Sequence, residues 1–212
     1  MELDKKLEDY ILNMSDIEHP VLAELNRETY LKILHPRMLS GHLQGLMLQF
    51  ITRLLKPQNV LEIGTYTGYS AICFALELAE NATVHTIEVN DELESFASGY
   101  FEKAGVAPKI KQHIGNALQI IPALKERFDL VFVDGEKEEY IDYYELSLEK
   151  LNSGGIIIAD NVLWSGKVVE EVDPNDKSTN GIMAFNEYVK NDSRVEKFIL
   201  PLRDGLFLIR KK

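Results

Sequence analysis

The residues best suited to chemistry lie at the ends of apolar runs. Leu130-Val131-Phe132-Val133 leads directly into Asp134, and Gly155-Ile156-Ile157-Ile158-Ala159 leads into Asp160-Asn161. If these runs are neighbouring strands, two carboxylates and an amide meet above their ends. Such a hard-oxygen set suits Mg²⁺, Mn²⁺ or Ca²⁺, with water and substrate completing the sphere. Aspartates in such places also cap the turns or helices that follow. Two acids side by side, however, repel each other unless a cation lies between them. Lys137 follows Asp134 by three residues, where one turn can aim its amine at the same cleft. Standing alone in the polar run Glu136-Lys137-Glu138-Glu139, it would read as a surface lysine.

A second set points to a nucleoside. The run Asn59-Val60-Leu61-Glu62-Ile63 stops at Gly64, and Gly64 and Gly68 allow a tight turn and close approach of backbone to a ligand. Their G-x-x-x-G spacing differs from the dinucleotide fingerprint, which disfavours a nicotinamide cofactor. Thr83-Val84-His85-Thr86-Ile87 ends at Glu88, 24 positions after Gly64, where a carboxylate can accept from both hydroxyls of a ribose. A plain tight turn and a solvated acid are the alternatives; the order of the two signals favours nucleoside binding.

The elements that must position these residues alternate. The first 55 residues read as helices, with Leu43, Met47, Phe50, Ile51 and Leu54 at helical spacing between Gly41 and Lys56-Pro57. A helix from Tyr69 to Leu78 follows the first strand, and Asp91 can cap another that runs through about Lys103. Lys109–Ile114 reads as a third strand, and 130–133 and 155–159 as the fourth and fifth, the last apolar enough to be buried on both faces. Val195–Leu200 and Leu206–Ile209 flank a Pro201–Gly205 turn and must be antiparallel. The expectation is a mostly parallel α/β sheet with a closing hairpin and an N-terminal helical cap, in one domain. In an open sheet of this kind, ligands bind beyond the carboxyl ends of the strands.

Composition narrows the partners. The 212 residues carry 23 Lys+Arg against 34 Asp+Glu, a net charge of −11, which works against phosphate backbones and anionic membranes. No apolar run approaches a membrane span, the start Met1-Glu2-Leu3-Asp4 lacks a signal peptide's basic head, and the one cysteine, Cys73, cannot pair internally. A soluble cytoplasmic protein is expected.

Taken as a set, these motifs resemble the cation-dependent O-methyltransferases, the group containing catechol and caffeoyl-CoA O-methyltransferases and small bacterial relatives. The likeness runs from about Met38 to the C-terminus. It rests on Val60–Ser70, on Phe132-Val133-Asp134-Gly135-Glu136-Lys137, on Asp160-Asn161-Val162-Leu163-Trp164-Ser165-Gly166 and on Asp204-Gly205-Leu206. It implies a Rossmann-like methyltransferase fold with a seven-stranded sheet, residues 1–212 forming one domain (1–55 cap, 56–212 core). It implies S-adenosylmethionine held by Ser40, Glu62, Gly64, Thr65, Ser70, Glu88, Ala117, Asp134 and Glu136, with Glu88 on the ribose and the Ala117 backbone beside the adenine. Asp134, Asp160 and Asn161 would hold a divalent cation, Mg²⁺ first, and Lys137 would be the catalytic base, with Asp134 beside it. Ser165 and Asp204 fall where some relatives contact the acceptor, and Trp164 either stacks on an aromatic acceptor or packs inside. The family commonly reads Asp-Ala-Asp-Lys and Gly-Asp-Ala where this chain has Asp134-Gly135-Glu136-Lys137 and Gly115-Asn116-Ala117. Neither departure touches the metal set or the base.

The implied reaction is metal-assisted methylation of a small phenolic acceptor with neighbouring hydroxyls. A phenol of pKa about 10 must lose its proton near neutral pH, and a lysine whose pKa is lowered by a nearby metal can accept it. Family likeness also implies a homodimer. The nearest rival is tRNA 5-hydroxyuridine O-methylation, against which the charge of −11 counts, although Lys32, Arg37, Lys167 and Lys177 could form a local patch. A dehydrogenase gives the metal trio no role, and a cofactor sensor has no use for metal ligands or a lysine in the cleft. The segment 164–181 reads as a polar loop, and the five histidines as structural or solvated.

Overall fold

A computed structural model describes residues 4–212; the start Met1-Glu2-Leu3, read above for its missing basic head, lies outside the described residues. Helices α1 (Lys5–Asn13), α2 (Pro20–Lys32) and α3 (His42–Leu55) precede the alternating region. There follow β1 (Asn59–Ile63), α4 (Tyr69–Glu77), β2 (Thr83–Glu88), α5 (Glu94–Lys103), β3 (Ile110–Ile114), α6 (Ala117–Ala123) and β4 (Phe128–Val133). The chain continues through α7 (Tyr140–Lys150), β5 (Leu151–Ala159), α8 (Lys177–Asn191), β6 (Val195–Leu200) and β7 (Leu206–Lys211). The strands form a seven-stranded sheet in the order β3-β2-β1-β4-β5-β7-β6, with β2–β3, β1–β4 and β4–β5 paired in parallel and β7 antiparallel to β5 and β6. This is the mostly parallel sheet with a closing hairpin that the sequence predicts. Among the described residues no helix is long and apolar enough to cross a membrane.

The chain groups into two compact units. One comprises Asn59–Gly64 and Asn116–Lys212. Its central strands are apolar without alternation because both faces are covered: Leu61, Leu130, Val131, Phe132, Ile157 and Ile158 are all fully buried. Ile63 pairs in register with Val133, and Val133 with Ala159, so three strands end level. The order reverses between β1 and β4, the switch point at which such sheets bind ligands. On one flank Phe185 of α8 meets Tyr140, Tyr144 and Phe207 edge-on.

The second unit comprises Thr65–Gly115 with the described residues up to Gln58. Here β2 and β3 pair in parallel, Glu88 opposite Ile114, and α4 is buried from Tyr69 to Ala75, Cys73 included. The apolar spacing of α3 correctly marks a helix, but its inward face is Gln44, Gly45, Leu48 and Thr52. Phe50 and Leu54 are 60% and 68% exposed.

Several expected boundaries shift. Asn90, not Asp91, caps the helical turn Asp91–Leu93, its side chain accepting from Glu92 N at 3.1 Å, and α5 begins only at Glu94. β5 starts at Leu151 and β4 at Phe128, because pairing extends both beyond their purely apolar segments. The segment 164–181 is not all loop: a 3₁₀ turn covers Trp164–Val169, and α8 starts at Lys177 under an Asp176 cap that accepts from Thr179 N and Oγ1.

Candidate active site

In the first unit the level strand ends set Asp134 and Asp160-Asn161 at neighbouring positions of the backbone. Asp160 N donates to Val133 O at 2.9 Å, which sets Asp160 beside the residue that precedes Asp134. Asp160 is buried, and its Oδ1 accepts from Asn161 N at 2.6 Å, so the turn-forming role of this aspartate is also present. Asn161 lies at φ 60°, a left-handed conformation that asparagine tolerates best after glycine. Trp164 and Ser165 share that conformation, which for a tryptophan signals strain held by its surroundings.

Lys137 is the charge that pairs with one of these acids, Asp134. It is buried in the 3₁₀ turn Lys137–Glu139, its Nζ donating to Asp134 Oδ1 at 3.0 Å and to Tyr140 Oη at 2.7 Å. Burial alone would lower its pKa, but the charge of Asp134 and the hydrogen bonds to Asp134 and Tyr140 carry it above the usual lysine value. With these neighbours alone the amine is an ammonium rather than a base. The Trp164 ring centroid lies 5.8 Å from Nζ, so the half-buried indole borders this cluster instead of packing in a distant core. Asp204 Oδ1 accepts from Ser165 N, and Val162 N and Leu163 N bond to the carbonyls of Gly205 and Asp204. Ser165 and Asp204, the two acceptor-side residues that the resemblance implies, are therefore hydrogen-bonded neighbours from two separate turns.

The remaining implied cofactor residues of this unit sit at strand ends and helix starts. Glu62 is fully buried on β1 opposite Phe132. Gly64 admits no side chain: its φ is 101°, and a Cβ would fall 2.2 Å from the carbonyl oxygen of Asp134. Glu136 is exposed and accepts from Lys137 N, capping the 3₁₀ turn. Ala117 opens α6, whose cap is Asn116 Oδ1 on Leu118 N at 2.7 Å, so the departure from aspartate keeps the capping function.

In the second unit Glu88 ends β2 with its Oε2 accepting from Tyr66 N at 2.7 Å and its Oε1 from Asn90 N at 2.9 Å. A carboxylate oxygen has a second lone pair, so both remain able to accept from hydroxyls. Thr65, buried, bonds through Oγ1 to Thr86 Oγ1 and through N to Ile87 O. Ser40 and Ser70 are buried, Ser70 in the first turn of α4. Sequence reading missed Tyr66 and Asn90, whose backbone amides orient Glu88, and Tyr140, whose spacing of three from Lys137 was its available signal.

Whether a divalent cation suits the first unit turns on donor chemistry. Two carboxylates and an amide at neighbouring strand ends, with a buried cation already balancing one of them, fit a hard dication. Histidine does not compete: His85 and His113 stack together on β2 and β3, and His19 caps α2.

Known proteins place this architecture. A family model described as O-methyltransferase matches residues 12–212. The mouse catechol O-methyltransferase domain-containing protein 1 is 35% identical, covering 98% of this chain and 80% of its own length. Caffeoyl-CoA O-methyltransferase 5 of Nicotiana tabacum is 34% identical over 79% of this chain and 75% of its own. Among solved structures, the O-methyltransferase TomG from Streptomyces achromogenes, in complex with SAM, is similar with TM-score 0.91 and 28% identity, covering 98% of this chain and 96% of that one. The Bacillus cereus O-methyltransferase in complex with SAH has TM-score 0.87 and 28% identity over 98% and 97%. The chain belongs to the O-methyltransferase family.

Proposed function

We propose that the protein transfers the methyl group of S-adenosylmethionine to one hydroxyl of a small catechol-type acceptor, assisted by a divalent cation. The observation that carries this reading is the pair of half-buried Asp134 with buried Lys137, set at a strand end level with the one that carries buried Asp160. The methyl donor is taken by Ser40, Glu62, Gly64, Thr65, Ser70, Glu88, Ala117, Asp134 and Glu136. Asp134, Asp160 and Asn161 hold the cation, Mg²⁺ before Mn²⁺ or Ca²⁺. When bound it polarises the acceptor oxygens and draws the charge of Asp134 away from Lys137. Lys137, its counter-charge thus weakened, releases its extra proton to water and, as the neutral amine, takes the phenolic proton, and Trp164, Ser165 and Asp204 border the acceptor. Positioning then brings oxygen and sulfonium methyl into line.

Residues 1–212 act in this reading as one methyltransferase domain with 1–55 as a cap. The protein is a cytoplasmic homodimer whose second copy covers the exposed Phe50 and Leu54 of α3. A tRNA acceptor is the weaker reading. Lys32 is paired with Glu28, Lys167 with Asp176 and Lys177 with Glu138, so these lysines offer little to a phosphate backbone.

The test is a panel of catechols, monophenols and bulk tRNA, with S-adenosylmethionine, with and without Mg²⁺ and chelator. Catechol methylation that disappears with chelator and returns with Mg²⁺ is expected. Binding of S-adenosylmethionine with no methylation of any catechol would refute the reading. Lys137→Ala should keep Mg²⁺ binding and lose turnover, whereas Asp160→Ala should lose both; full turnover in Lys137→Ala removes the base assignment.

A further inference from the structure

Tyr140 is a buried polar group that the reaction above leaves without a task. It opens α7, fully buried, with its hydroxyl between the two strand ends. Lys137 Nζ donates to Tyr140 Oη at 2.7 Å, and Oη donates in turn to the carbonyl of Asp160 at 3.1 Å, with that of Val133 at 3.4 Å. The ring is held edge-on by Phe185 at 5.4 Å and tilted against Tyr143 at 6.4 Å, so the oxygen has little freedom to move.

A lysine amine rides on a four-carbon stem and has three donors, so one partner does not fix its direction. Asp134 alone would leave Nζ free to swing about that contact. A second partner, itself pinned to the backbone, fixes both place and direction. The Tyr140 hydrogen is committed to a carbonyl, which leaves the oxygen's lone pairs turned to Lys137.

We propose that Tyr140 is a positioning residue for Lys137, joining the base to the strand end that carries Asp160 so that the amine keeps one approach to the acceptor. The role is exercised through Lys137 and rests on that residue being the base.

The experiment compares wild type, Tyr140→Phe, Lys137→Ala and the double variant, measuring kcat, both KM values and, by calorimetry, affinity for S-adenosylmethionine. Tyr140→Phe should lower kcat about tenfold or more, with both KM values and the affinity within about twofold. Added to the residual turnover of Lys137→Ala, it should cost nothing further, since two residues acting as one unit are not additive. Multiplying losses, or weakened cofactor affinity alongside the fall in kcat, would show a merely structural tyrosine and overturn the proposal. Wild-type turnover in Tyr140→Phe with Lys137→Ala inactive overturns the positioning role alone. Wild-type turnover in Lys137→Ala overturns the base assignment and this role with it. Should Tyr140→Phe not fold, ¹⁵N-lysine spectra of the wild type decide: the Lys137 ammonium protons should exchange slowly, and exchange as fast as at exposed lysines would refute the proposal.

Discussion

Replacing Gly181 with alanine should weaken both the fold and its turnover, while the same change at Gly99 should stabilise the protein. Gly181 lies inside α8, where alanine is favoured over glycine by ~1 kcal/mol. A Cβ there, however, would stand 2.5 Å from the carbonyl oxygen of Lys137, 3.0 Å from its carbon and 3.1 Å from Glu138 Cα. Ordinary contact begins near 3.4 Å, so helix and turn must part by roughly an ångström, and every atom in the way is backbone. Overpacking of this kind costs about 1–3 kcal/mol, which leaves a net loss of up to ~2 kcal/mol after the helical gain. The larger effect falls on chemistry: the displaced turn carries Lys137, and a misplacement near 1 Å costs on the order of a hundredfold in rate. Gly99 lies in α5 with nothing within 4 Å of its Cβ, so alanine there keeps the full ~1 kcal/mol, about 2–4 °C in Tm. Urea unfolding and kcat measured on both variants form the assay. If Gly181→Ala rises in stability as Gly99→Ala does and keeps its turnover, the close approach of α8 to the lysine turn is not a constraint.

Two further outcomes can be checked. The hydrogen bond from Arg194 holds Asp192 near a pKa of about 2, so its stabilisation is complete above the unfolded value near 4 and is lost as pH falls toward 2. Asp192→Asn should therefore be less stable than wild type at pH 7, and the gap should close between pH 4 and 2; a gap constant across that window in urea titrations sinks the assignment. Glu88→Ala, which removes the acceptors of Tyr66 N and Asn90 N as well as the proposed ribose contact, should weaken S-adenosylmethionine about ten- to a hundredfold by calorimetry. Unchanged affinity would take Glu88 out of the cofactor site.

Legibility from sequence followed the range of the forces involved. The strands 130–133 and 155–159 were readable because burial on both faces leaves an uninterrupted apolar run, and the acids that end them stand out against it. The Pro201–Gly205 turn marked the hairpin through local backbone chemistry. The inward face of α3 was not readable, because Gln44 and Thr52 point inward while Phe50 and Leu54 point out, reversing the polarity rule. Asn90 and Asp91 are both good caps, and only the backbone path chooses between them. The role of Tyr140 depends on the Asp160 carbonyl 20 residues away, which no local pattern encodes.

The place of β7 bears on how the protein can be made. It is the last of the described strands in chain order, yet it lies inside the sheet, paired with β5 through Ile157–Ile209 and with β6 through Phe198–Leu208. Until residues 206–211 have left the ribosome, β5 presents an open hydrogen-bonding edge, and β6 has no strand to join. The sheet therefore cannot close in step with synthesis, and the β5 edge, with fully buried Ile157 and Ile158 beside it, is the surface that a nascent chain must keep from other chains.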